Sequence, residues 1–215
     1  DKAAKERGTS IYFPNTVIPM LPEEISNDLC SLVPKKIRNV VVSDITFDAG
    51  GEIKDYDFYE AKIESKYRLT YAEVEEAILR KKKIGSASVN ESINALKELT
   101  IILLDKRAKR NALEIESNEP ILKINNIGAV EAINLSRRMF AHQMIEEAMI
   151  AANICAIMFV KSSLEISINR FHDKPDADKL LALFEKFQSF GLKKSDDPII
   201  LLQRCIEIAK RSENA

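Results

Sequence analysis

The stretch from Ala148 to Val160 is apolar apart from Asn153, and no other feature constrains the fold as strongly. It is too short for the roughly 20 residues of a membrane span. A buried helix is therefore expected, and the helical pattern around it extends from Arg137 to about Ser162. Its composition implies burial on most sides, so any polar residue on it is conspicuous. At about 100° per residue, His142 and Asn153 fall about 40° and about 20° from Glu146 on the helical wheel. Two arrangements fit this shared face. One is a satisfied polar stripe packed against a neighbouring loop. The other is a cavity wall on which Glu146 accepts hydrogen bonds from ligand hydroxyls, a ribose 2′-hydroxyl among them.

The rest of the chain reads as elements that could pack on such a helix. DKAAKERG resembles the last turns of a helix, with Gly8 placed to take the left-handed conformation after it. Pro14, Pro19, Pro22 and Pro34 then exclude long regular structure, leaving an extended, pinned loop with one short helical turn. From Ile37 to about Leu69 an alternating pattern around the turn at Asp48 to Gly51 predicts an antiparallel hairpin. Thr70 is placed to cap a helix. Lys81 to Val89 reads as a loop, and a longer helix follows from about Asn90 to Arg110. Pro120 to Ile124 and Ala129 to Leu135 flank NNIG as a second hairpin. A short strand is expected at Ile166 to Arg170, then a helix through Leu180 and Phe184 that stops at Gly191, and a last helix with Pro198 in its first turn. The fold class is α+β: antiparallel hairpins packed with several helices around one long buried helix.

Charge and motifs narrow the chemistry. The 215 residues carry 32 basic and 33 acidic side chains, so the overall basicity of a nonspecific phosphate binder is missing. Local basic runs occur at Lys35, Lys36 and Arg38, at Arg80 to Lys83, and at Lys106, Arg107, Lys109 and Arg110. Each reads as a solvated surface. Cys30, Cys155 and Cys205 are widely spaced and odd in number, which argues against a disulfide framework and for a reducing cytoplasm. Two histidines without ligand spacing give no zinc site, and no GxxxxGK[ST] or GxGxxG follows a strand. DITFDAGGEIKD has Ala49 where a calcium loop needs glycine, so it reads as a hairpin turn. Tyr12, in the proline-pinned loop, and Tyr71, at a strand-to-helix junction, stand where a ring face can meet a base.

RGTSIYFPNTVIPMLP (Arg7 to Pro22) resembles the segment after the aspartate cluster in the RNB catalytic domain of the ribonuclease II/R family. SNDLCSL, FYEAKIESKYRLTYAEV, AHQMIEEAMIAANICA and INRFHDKPDADKL follow in the family's order. The resemblance covers residues 7 to 180, and its RGTSIYFP and RFHDKP wording is nearer to the ribonuclease R branch.

That resemblance implies processive hydrolysis of single-stranded RNA from its 3′ end to nucleoside 5′-monophosphates, supported by magnesium. It implies that residues 1–215 are the central portion of one RNB catalytic domain, truncated at both ends. The metal-holding aspartates are expected upstream and an arginine at the scissile phosphate downstream, so no catalytic residue is expected within the chain. Flanking OB-fold domains, a monomeric state and no membrane association are expected, together with an inactive isolated piece. By motif, Tyr12 resembles a tyrosine that meets the RNA along its path. Tyr71 and Glu146 resemble the pair that surrounds the terminal nucleotide and favours ribose. One departure stands out: Ile115 takes the place of an aromatic that stacks on the terminal base. Either the clamp at the 3′ end is weaker or the alignment slips by a residue. A non-catalytic RNB-like RNA-binding module is the alternative reading.

Overall fold

The structure is a computed structural model that describes residues 2–113, 115, 120–125, 127–136, 138–164 and 166–213. Helix α1 (Lys2–Arg7) ends as its sequence requires. Gly8 sits at φ 66°, and its N–H donates to the Ala4 carbonyl at 2.9 Å. The proline-pinned segment holds more order than expected. Strands β1 (Ile11–Tyr12) and β2 (Val17–Ile18) pair antiparallel, Ile11 opposite Ile18 and Tyr12 opposite Val17. The Phe13 N–H closes the turn on the Thr16 carbonyl at 2.9 Å. The expected helical turn follows as a π-helical turn, Glu24–Leu29.

Strands β3 (Ile37–Phe47) and β4 (Ile53–Glu64) form the long hairpin. Its turn is built by Asp48, whose Oδ1 accepts from the N–H groups of Gly50 and Glu52, both at 2.9 Å. Alternation along β3 turns Val40 and Val42 inward and leaves Val41 71% exposed. Helix α2 (Tyr71–Arg80) starts at Thr70 with a reciprocal cap: Thr70 Oγ1 accepts from the Glu73 N–H, and Glu73 Oε2 accepts from the Thr70 N–H at 2.7 Å. Helix α3 (Ala87–Lys109) begins three residues before the expected start because Ser86 caps it. Strands β5 (Pro120–Ile124) and β6 (Val130–Leu135) make the second hairpin.

Helix α4 (Phe140–Ser163) is the hub, since α2, α3, β3 and β4 all pack on it. Ala141, Met144, Glu147, Ala151 and Cys155 form its buried stripe, in positions three or four apart. Phe159 meets Phe58 of β4 at 5.2 Å between ring centroids. The expectation of burial on most sides is corrected here. Ile145, Met149, Ile154 and Ile157 are 41 to 56% exposed, because the four packing elements cover one side of the helix. By length and composition α4 could cross a membrane, being longer than the run from which a span was excluded. Its packing against two helices and a hairpin, with a buried glutamate inside, is that of a core helix in a folded domain.

Two helices close the chain. Helix α5 (Ala177–Gln188) is capped by Asp176, whose Oδ1 accepts from Asp178 and Lys179 N–H groups. Gly191 (φ 85°) follows it, and Leu192 of the connecting segment packs with Leu201 and Cys205 of α6 (Pro198–Glu213) against Leu180, Leu183, Phe184 and Phe187. The strand expected at Ile166 to Arg170 is absent. That segment is irregular, with Ile166 82% and Ile168 fully exposed, and no strand among the described residues lies beside it to complete a ladder.

Candidate functional site

The site is assembled where the N-terminal half of α4 meets α2 and the end of α3. Met139 precedes α4, and its N–H donates to His142 Nδ1 at 3.1 Å, which holds the imidazole over the helix start. Glu75 of α2 accepts the next free donor, the Ala141 N–H, at 2.9 Å. These two bonds satisfy amides that a helix start leaves unpaired, and the second ties α2 to α4. In consequence Tyr71, the first residue of α2, lies against His142 with ring centroids 4.1 Å apart and planes tilted by 41°. The Tyr71 side of this stack is 44% exposed.

One turn further along α4 stand Glu146 and Glu147. Glu147 is buried, and its Oε1 accepts from Arg107 Nη1 at 2.7 Å. The same nitrogen reaches Glu146 Oε1 at 3.0 Å, while Arg138 Nη2 holds Glu146 Oε2 at 2.5 Å. Hydrogen bonds from Arg107 to Glu147 and Glu146 raise the guanidinium's pKa further. Burial pushes the Glu146 carboxyl up, but the two arginines outweigh it and hold the group below the ordinary carboxylate range. Glu146 is thus a fixed anion, with a third of its side chain still reachable by solvent.

Of the residues singled out from sequence, Tyr71 stacks on His142, and Glu146 stands one helical turn after His142 on α4. Asn153 is exposed further along α4, outside the group. Tyr12 on β1 is 78% exposed and Ile115 is 72% exposed, and no described hydrogen bond, ion pair or ring contact joins either to Tyr71 or Glu146. Arg107, read as part of a solvated basic run, is corrected: its side chain is 21% exposed and turned into the site. Arg38 likewise faces inward at 13%, paired with Asp28. Arg107 and Arg138 were missed as site residues. The doublet Glu146-Glu147 on an apolar helix was the usable signal, because a buried carboxylate requires a cation.

The arrangement does not suit a divalent metal. Among the described residues no cluster of three His, Cys, Asp or Glu side chains could hold one, and Arg107 already occupies oxygens of both glutamates. Burial pushes the Cys155 and Cys205 thiols up, away from a reactive thiolate. What remains is a half-exposed ring stacked on His142 and, one helical turn further along α4, a carboxylate held by two arginines.

The RNB domain family model matches residues 1–214, and the chain belongs to that family. Ribonuclease R of Escherichia coli (strain K12) is 37% identical over 195 residues, covering 90% of this chain and 24% of that protein. Exoribonuclease 2 of Glaesserella parasuis serovar 5 is 36% identical over 184 residues, 84% of this chain and 28% of that protein. The structure of Mycoplasma genitalium RNase R in complex with ribose methylated single-stranded RNA superimposes with a TM-score of 0.88 at 30% identity. The match covers all of this chain and 34% of that one. The chain thus spans about a quarter of the length of the curated relatives it matches. Both the family resemblance and the α+β reading are borne out.

Proposed function

We propose that this chain is part of an exoribonuclease that degrades single-stranded RNA processively from its 3′ end to nucleoside 5′-monophosphates, and that it supplies the wall that holds the RNA end. One observation carries the reading: Glu146 is clamped by Arg107 and Arg138 one helical turn from His142, on which the Tyr71 ring stacks. A ribose 2′-hydroxyl can donate to such a carboxylate, and a deoxyribose has no donor to offer. The Tyr71 face would add stacking, about 1 to 3 kcal/mol per base. Relatives named ribonuclease R and exoribonuclease 2 support the reading. Tyr12 would meet the strand earlier along its path. Magnesium is the proposed cofactor, held by residues of the parent protein outside this chain, so the bond-breaking chemistry is assigned to no side chain here. OB-fold domains as neighbours in the parent chain, a monomeric state and a cytoplasmic location belong to the same proposal. Three free cysteines support the last of these.

The test uses the intact protein. Replacing Glu146 by Ala, and by the isosteric Gln, is expected to narrow the gap between RNA and DNA as substrates. An unchanged preference in both variants removes Glu146 from this role. The isolated chain is expected to release no mononucleotides from a labelled single strand in the presence of magnesium, and detectable release overturns that.

Ile115 favours a second reading, a non-catalytic RNB module that holds RNA without cutting, because an aliphatic side chain supplies no stacking face. Mononucleotide release by the intact protein excludes it.

A further inference from the structure

Lys81, Lys82 and Lys83 follow α2 directly and reverse the chain, with Lys81 in the left-handed conformation at φ 52°. Across from them Lys97 projects from the middle of α3, and the four lysines line one concavity of about 360 Å³ over an apolar floor from α2 and α3. No carboxylate belongs to its wall. Asn90 is spent on the Ile84 and Ser86 backbone, which leaves the exposed Asn94 as the neutral amide of the rim.

Four lysines around one hollow make a local excess of positive charge. The chain as a whole carries a net charge of −1. Elsewhere Lys36, Lys54, Lys106, Lys109 and Lys123 are each paired with an acid. Among the described residues no ion pair involves Lys81, Lys82, Lys83 or Lys97. Complementing the negative end of α2 accounts for lysines directly after it. It does not account for Lys97, which lies mid-helix on another element and still faces the same hollow.

We propose that this concavity is a phosphate-binding site for the backbone of a single-stranded RNA, separate from the Tyr71–Glu146 wall. Ammonium groups on flexible stems suit phosphodiester oxygens and carry no base preference. The geometry also fits a strand that passes both places. Tyr71 opens α2 and Lys81 follows its last residue, so the two lie roughly 15 Å apart along the helix axis. Such a site goes beyond the proposed function, because an inactive RNA-holding protein would use it equally.

The experiment measures binding of the intact protein to a roughly 20-nucleotide single strand and to a 3′-terminal trinucleotide, across a salt series. The variant replaces all four lysines by Gln, positions whose ammonium groups make no described bond. The long strand is expected to bind at least tenfold more weakly at low salt. The slope of log affinity against log salt should flatten by about 0.7 for each phosphate that the lysines no longer neutralise. Trinucleotide binding is expected to be unchanged. Unaltered affinity and slope for the long strand overturn the proposal, as does an equal loss for the trinucleotide, which would place the lysines in the end-binding site. A Glu146 variant with unchanged RNA-to-DNA preference would remove the end-binding role and leave this result standing.

Discussion

Arg107 on α3 and Glu147 on α4, forty residues apart in sequence, meet at 2.7 Å where only 6% of the Glu147 side chain is exposed. A carboxylate buried that far is costly to desolvate unless a cation is paired with it.

Removing the cation alone should therefore be costly. Arg107→Gln is expected to destabilise the fold by about 3 kcal/mol, because it strands a buried charge. Denaturant unfolding measures this directly. The double variant Arg107→Gln, Glu147→Gln is expected to lose less than the sum of the two single changes. Strict additivity would mean that the pair does not couple.

Acid should act through Glu146. Its folded-state pKa lies below the ordinary glutamate value of 4.5, so the stabilisation is fully present above about that pH and is lost as pH falls through the depressed value. Wild type should outlast Glu146→Gln at pH 7, with the difference shrinking progressively below pH 4.5. Unfolding curves for the two proteins at stepped pH read this out. A constant difference down to strongly acid conditions would contradict it.

The cap at Thr70 offers a separate handle on the same region. Thr70→Ala removes the acceptor for the Glu73 N–H and should cost about 1 kcal/mol of stability. The adjacent Tyr71 ring depends on that helix start, so the variant should also weaken RNA-end binding in the intact protein. Thr70→Ser should restore most of both, measured by urea unfolding and by trinucleotide affinity.

Gly51 is fixed by two constraints. It lies at φ 78°, and a Cβ there would come within 2.9 Å of Ile102 Cγ2, while its carbonyl accepts from Lys106 Nζ at 3.1 Å. Gly51→Ala is expected to cost about 1 to 3 kcal/mol, mostly through the left-handed backbone, since the Ile102 methyl can move aside. Gly50→Ala, at a neighbouring position without positive φ, is the control and should be far milder.

Local chemistry was legible where a few adjacent residues decide the outcome. Thr70 announces a helix start, NNIG a hairpin, and Gly8 and Gly191 helix ends, because each acts within about four residues of itself. The β1–β2 pairing was hidden because Pro14 and Pro19 suggest an irregular loop, although two rungs fit between them. The absent strand at Ile166 to Arg170 shows the converse, since a strand-like composition forms no ladder without a partner. Exposure along α4 was not legible because composition reports how much apolar surface a helix has, not how many neighbours cover it. Within the candidate site, motif resemblance pointed to both Glu146 and Tyr71, and the face shared with His142 pointed to Glu146 as well. Arg107 was not, because its partners lie 39 and 40 residues away and its neighbours Lys106 and Lys109 make it look like solvated surface.

Glu146 and Glu147 are consecutive, so their side chains leave α4 in directions about 100° apart. One nitrogen of Arg107 nevertheless touches both. That is possible only over a narrow range of roll of α4 about its own axis, and a quarter turn either way would lose one of the two carboxylates. The guanidinium therefore acts as an index pin for the helix. It sets the angular phase at which His142, and with it the Tyr71 ring, faces outward.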